Sequence, residues 1–176
     1  MAISLYDISV ASYLQTLGAV TGYLNKGAAH FESNGTDPDG IVEARLYGDM
    51  LPFRFQIVSV CHHSLGAIKG LQAGEFNPPG QFPPHSYKDL QKLVADATEE
   101  LKAFTPATIN ALEGGDMVFK MGSMAAPFTA EGFIMSFSLP NFYFHSATAY
   151  DLLRMQGVPL GKRDFMGAMR MNLPAA

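Results

Sequence analysis

Apolar residues recur at helical spacing from the start of the chain. Ser4 and Asp7 form a capping-box pair, flanked by Ile3 and Ile8 where a hydrophobic staple would close. Leu14, Leu17, Leu24, Ala28 and Phe31 then follow at helical intervals, and Asn34-Gly35 marks the stop. Gly18 and Gly22 lie inside this helix, each costing about 1 kcal/mol relative to alanine. That cost points to close approach of another backbone, from a neighbouring helix or a second subunit. A short helical piece is expected after Pro38. A second long helix is predicted over roughly 49–73, with Phe53, Ile57, Val60, Ser64, Ile68 and Leu71 on one face and Gly74 as its stop. The segment 75–84 carries four prolines, which exclude helix and central strand. Ser86 and Asp89 repeat the start signal ahead of Leu90, Leu93, Ala97, Leu101 and Phe104, a stripe opposed by Lys88, Lys92, Asp96 and Glu99. Thr105-Pro106 ends this helix or begins one more short turn.

The period then changes. Residues 117–121 and 129–137 read as two strands, the second with Phe133, Met135 and Phe137 on one side, joined by a loop containing Gly122 and Pro127. A last helix opens near Ser138-Leu139-Pro140 and stops at Gly157, with Pro159 two residues on. The tail has no strong period, and no repeat or second domain is visible. Residues 1–176 therefore read as one domain, an all-α four-helix bundle with a small β-hairpin between helices three and four. The proline-rich connection, extended at about 3.3–3.6 Å per residue, could run about 40 Å, the length of the second helix at about 1.5 Å per residue. Helices two and three are thus expected to run parallel, joined by a long crossover.

Composition narrows the class. The chain has 176 residues, 48% of them hydrophobic and only 16% charged, which excludes disorder and allows a sizeable core. With 16 acidic and 12 basic side chains the formal charge is -4, which argues against a nucleic-acid partner. The one cysteine, Cys61, excludes an internal disulfide and a cysteine-rich zinc site. Near the apolar face and without an evident activating base, it reads as a small buried hydrophobe. No Lys or Arg precedes Lys26, so a signal peptide is not expected. The longest stretch free of charge, 132–150, contains Pro140, Asn141 and His145, which suits a membrane poorly. A cytoplasmic protein without a membrane partner is the expectation.

Candidate chemistry rests on the histidines His30, His62, His63, His85 and His145. At about 100° per residue, His63 falls roughly 105° from the centre of the second helix's apolar face and His62 roughly 155° away. His63 is therefore the better placed to reach an interhelical cleft, and His62 to meet solvent or a subunit contact. His145 shares a helix face with Asn141 and Thr148. Facing helices can build a metal site from such side chains, and imidazole suits zinc, nickel, copper and iron. The plainer alternative is that His63 and His145 are bundle histidines satisfied by Gln56, Ser64 or backbone groups. Motifs for a di-iron bundle, a zinc protease, a serine hydrolase or a phosphate-cradling loop are absent. The aromatic run Phe142-Tyr143-Phe144 points in several directions and reads as core plus interface. Ten methionines, gathered mostly along the hairpin and tail, suggest an adaptable apolar surface or simple packing.

The blocks Ser138-Leu-Pro-Asn-Phe-Tyr-Phe-His145, Ala149-Tyr-Asp-Leu-Leu-Arg154 and Gly157-Val-Pro-Leu-Gly-Lys-Arg-Asp164 resemble a bacterial and fungal family of domains of unknown function within the DinB/YfiT-like metalloenzyme superfamily. Ala44-Arg45-Leu46, Asp49-Met50 and Gln56 resemble that family's middle motif, and the likeness covers nearly the whole chain. It implies a DinB-like bundle in up-down-down-up order and a homodimer. It also implies a divalent metal held by one histidine of helix two and two histidines spaced by four on helix four. Here His145 falls on the second of that pair, Asn141 on the first, and His63 or His62 on the helix-two position. Leu153-Arg154 and Gly157 match the ending that follows. With an amide replacing one imidazole, zinc or nickel would be held weakly. Two functions follow from this. One is a metal-assisted, thiol-dependent transferase or hydrolase acting on a small molecule, with His63, Asn141 and His145 as ligands. The other is a metal-free dimeric bundle that binds a small apolar ligand or a partner.

Overall fold

The structure is a computed structural model describing residues 3–80 and 83–172. Gln81 and Phe82 of the proline-rich stretch, both chain ends and the last of the tail lie outside the described residues. The Ser4/Asp7 capping box forms and opens α1 (Leu5–Ile8). The chain breaks at Ser9, whose hydroxyl donates back to the Leu5 carbonyl, and continues as α2 (Val10–Ser33). A 3-10 turn (Pro38–Ile41) follows. The second long helix starts later than its pattern predicts, at Phe53, because Pro52 occupies the N-cap. It runs as α3 (Phe53–Cys61), a π turn (His62–Gly66) and α4 (Ala67–Ala73), and Gly74 ends it in the left-handed conformation at φ 70°.

The proline-rich segment is not wholly irregular. It opens with β1 (Glu75–Phe76). After the Ser86/Asp89 box come α5 (Tyr87–Lys102) and a short α6 (Pro106–Asn110). Then β2 (Asp116–Met121) and β3 (Met124–Thr129) form an antiparallel hairpin. β1 joins β2 in parallel, with Phe76 opposite Phe119, to give the sheet order β1-β2-β3.

The strand expected over 129–137 is helical. Thr129 caps α7 (Ala130–Phe133) by accepting the Gly132 amide, and a second π turn (Ile134–Ser138) leads without a break into α8 (Leu139–Met155). Phe133 and Phe137 are four apart as well as on alternate positions. The apparent period of two was the inner edge of a helix, and Met135 faces solvent at 61% exposure. A short α9 (Lys162–Met166) lies against α2, tied by Lys26 to Asp164 at 2.6 Å.

Four helical elements pack in a ring: α2 against α5, α5 against α3, α3 against α8, and α8 against α2. One hydrophobic cluster draws on all of them, including Leu17, Ile57, Leu90 and Leu152. The sheet covers one side of the bundle through Phe76 of β1 and Met117 and Phe119 of β2. Gly18 and Gly22 have open space where a side chain would begin, so no helix of this chain packs on them among the described residues. The close approach occurs instead at Gly27, where a Cβ would strike the Tyr87 hydroxyl and Leu153. No helix among the described residues is long and apolar enough to cross a membrane.

Candidate functional site

The first π turn carries His62 and His63. A few residues on, Gly70 lets the chain fold back: a Cβ there would sit 3.0 Å from the Glu75 carbonyl and 3.1 Å from the Phe76 ring. Phe76 is thereby pressed against both imidazoles, with ring centroids 4.5 Å from His62 and 5.5 Å from His63. His62 is not left in solvent as the helical wheel suggests. The returning strap half-covers it, and its Nε2–H donates to the Asn77 carbonyl at 2.8 Å. His63 is the buried one, at 7% exposure.

His63 stacks on His145 of α8, the rings 5.8 Å apart and 16° from parallel. His145 Nδ1 lies 2.8 Å from Gln56 Oε1, while Gln56 Nε2 donates to the Leu51 carbonyl at 2.7 Å. Flipping that amide would set two oxygens face to face, so Oε1 stays toward the histidine. An oxygen there can only accept, so His145 carries its proton on Nδ1 and a lone pair on Nε2. Phe55 and Phe144 meet the same ring edge-on, at 5.7 and 5.3 Å. Phe137 closes on His63 at 5.7 Å.

Gln56 thus does for His145 what the plainer reading of the sequence anticipates. His63 differs. Its Nδ1 is buried without a hydrogen-bond partner, and Ser64 is no help, because its hydroxyl donates to the Val60 and Cys61 carbonyls. Burial pushes the His63 pKa down to about 3, with the nearby His62 and His145 adding to the effect. Burial likewise pushes His145 down to about 4. Both rings are neutral at neutral pH. Cys61 is pushed up to about 12 by burial, which makes it inert.

Asn141 stands one turn before His145, and its Nδ2 donates to the Phe137 carbonyl at 2.8 Å. The amide oxygen is then the end able to take a cation. No group of three or more His, Cys, Asp or Glu gathers among the described residues. The donors are two neutral imidazoles and one amide. They fit a divalent transition metal in type and protonation, and Gln56 orients His145 from the far nitrogen as partners of ligating histidines usually do. They bring no negative charge, which limits affinity. Open clefts of about 380 Å3 beside Gly74 and Glu113, and about 280 Å3 between His62, His85 and the prolines, lie off this pair.

Sequence reasoning brought forward His63, His145, Asn141 and Gln56. It gave no role at the pair to Phe76, Phe137, Ser138 or Tyr13. The Gly70 interruption and the Ser138 block were the available signals.

The fold is a mostly helical bundle with a small sheet, in which the first π turn, through His63, meets α8, through His145. A crystal structure of a DinB family member protein from Shewanella denitrificans is similar over 97% of this chain and 96% of that one, at 26% identity and a TM-score of 0.77. Residues 5–166 match the model for "Domain of unknown function (DUF1993)", and the chain belongs to that family. No curated protein matches it.

Proposed function

We propose that the His63/His145 pair, with the Asn141 amide, is a weak divalent-metal site for zinc or nickel, and that the protein is a metal-assisted transferase or hydrolase of a small molecule. The observation that carries this reading is the buried, unpartnered Nδ1 of His63 stacked on an imidazole whose own Nδ1 is already committed to Gln56. An orphaned buried nitrogen costs about 1–3 kcal/mol, and a ligand that takes it up would offset that cost. When bound, a divalent cation supplies polarisation of an oxygen or sulfur atom of the small molecule. The chain's own residues hold the two rings neutral, fix the His145 tautomer and line the pair with Phe55, Phe76, Phe137 and Phe144. Up-down-down-up helix order, a cytoplasmic setting and a homodimer through the open Gly18/Gly22 face belong to the same proposal.

A second reading is favoured by a separate observation. Three His, Cys, Asp or Glu side chains do not converge among the described residues. A metal-free bundle taking a small apolar ligand beside the same aromatic rings satisfies this as well. Calorimetric titration of zinc and nickel into the wild type and Asn141→His separates the two. Weak binding by the wild type, tightened at least tenfold by Asn141→His and abolished by His63→Ala, supports the metal site. Negligible binding by both proteins defeats it and leaves the apolar-ligand reading.

A further inference from the structure

Three hydroxyl and carbonyl groups join the two π turns. In an unbroken α-helix the Ala67 amide would return to the His63 carbonyl. At the C-cap of the first π turn it goes to the Ser64 carbonyl, three residues back. The Ser138 hydroxyl, from the end of the second π turn, donates to the His63 carbonyl at 2.6 Å. Ser138 has one proton to give and it is spent there. The contact from Tyr13 of α2, at 2.7 Å, must therefore run from the Tyr13 hydroxyl to Ser138 Oγ. Tyr13 and Ser138 are fully buried, so water cannot replace either bond. Tyr13 is also fixed by an edge-on contact with Phe142 at 5.0 Å, and Phe142 lies on the helix that carries His145.

We infer that Tyr13 and Ser138 are positioning residues for the histidine pair: a two-hydroxyl clamp that fixes the His63 carbonyl and, through it, the stacking of His63 on His145. The clamp acts on the backbone of His63 and touches neither imidazole. Its consequence is geometric. A π turn places its residues off the α-helical register, and each turn alone could relax toward regular helix. Joining the two turns by a side chain holds both, and with them the separation of two rings contributed by helices remote in sequence. The importance of that separation rests on the proposed metal reading; the clamp itself does not.

The variants are Tyr13→Phe, which removes one oxygen and keeps the ring, Ser138→Ala, and the pair together. In metal-free protein, long-range proton–nitrogen spectra report the His63 and His145 imidazoles, and amide exchange reports the His62–Gly66 turn. Each single variant should shift the His63 ring signals and speed exchange in that turn. The double variant should add nothing beyond Ser138→Ala, since Tyr13 acts only through Ser138. Leu101→Ala, in the core of α5, serves as a control of comparable destabilisation and should leave the His63 signals in place. In the zinc titration, each clamp variant should weaken affinity about tenfold, as loss of a residue supporting a ligand does. Unchanged His63 signals and exchange in both single variants, or equal shifts in the Leu101→Ala control, overturn the clamp. Absence of zinc binding by the wild type overturns the metal reading alone, and the spectra then decide the clamp.

Discussion

Replacing Gln56 by methionine tests the tautomer argument directly. Gln56 is 2% exposed and makes two hydrogen bonds, to His145 at 2.8 Å and to the Leu51 carbonyl at 2.7 Å. Methionine keeps nearly the same volume, so packing loss is small. The Leu51 carbonyl sits on an exposed residue and can turn to water. The His145 Nδ1–H is left half-buried without an acceptor, a penalty of about 1–3 kcal/mol. For a chain of this length, each 1 kcal/mol moves the midpoint by about 2–4 °C, so thermal unfolding should fall by about 2–12 °C. The sharper measurement is the nitrogen spectrum of the imidazole. Wild-type His145 should show the proton on Nδ1, and the methionine variant should show it moving toward Nε2. A variant that unfolds at the wild-type temperature and keeps the Nδ1 proton would refute the account of how this ring is held.

The remaining expectations concern pH and glycine. The folded pKa values of about 3 for His63 and about 4 for His145 lie below the ordinary 6.5, so the unfolded chain binds the extra protons. Their stabilisation is complete above about pH 6.5 and is lost as pH falls toward the folded values, with a slope approaching about 1.4 kcal/mol per pH unit for each ring. The urea midpoint should therefore drop between pH 7 and 5, above the range where carboxylates titrate, and a flat profile would count against burial of the pair. Gly18→Ala and Gly22→Ala meet open space and should each raise stability by about 0.5–1 kcal/mol at dilutions where the chain is monomeric. If a second subunit packs on that face, light scattering should show weaker association for the same variants. Gly27→Ala should do the opposite, costing about 1–3 kcal/mol, because its Cβ displaces the Tyr87 hydroxyl from the Leu24 carbonyl.

Local signals in the sequence located most of the helices. Both Ser-x-x-Asp boxes form, Gly74 ends its helix with positive φ, and the α5 stripe is buried at Leu90, Ala97 and Leu101. These features depend on residues a turn or two apart, and a linear reading captures them. The errors fall where distant contacts decide. Phe133 and Phe137 satisfy a strand period and a helical one equally, and the choice is made by the Thr129 cap and by packing on Phe76 and Phe119. β1 was hidden among prolines because its partner, β2, lies some forty residues on and takes it as a short edge.

The candidate site divides along the same line. Residue type and helical phase single out His63, Asn141 and His145 as candidates, which is as far as spacing reaches. The protonation and placement of the two imidazoles are set elsewhere. A π turn shifts His63 off the α-helical phase, and nothing in His62-His63-Ser64 announces it, because such a turn survives through contacts such as the Ser138 hydroxyl on the His63 carbonyl. Which nitrogen of His145 holds the proton depends on Gln56, and Gln56 is oriented by the backbone of Leu51. Neutrality at physiological pH comes from burial by the strap, the hairpin and the neighbouring phenylalanines together. A substitution of either histidine would therefore test only the ligand. Substitutions at Gln56, Ser138 or Tyr13 test how the pair is held: two uncharged rings, one fixed by the Gln56 amide and the other through its backbone carbonyl.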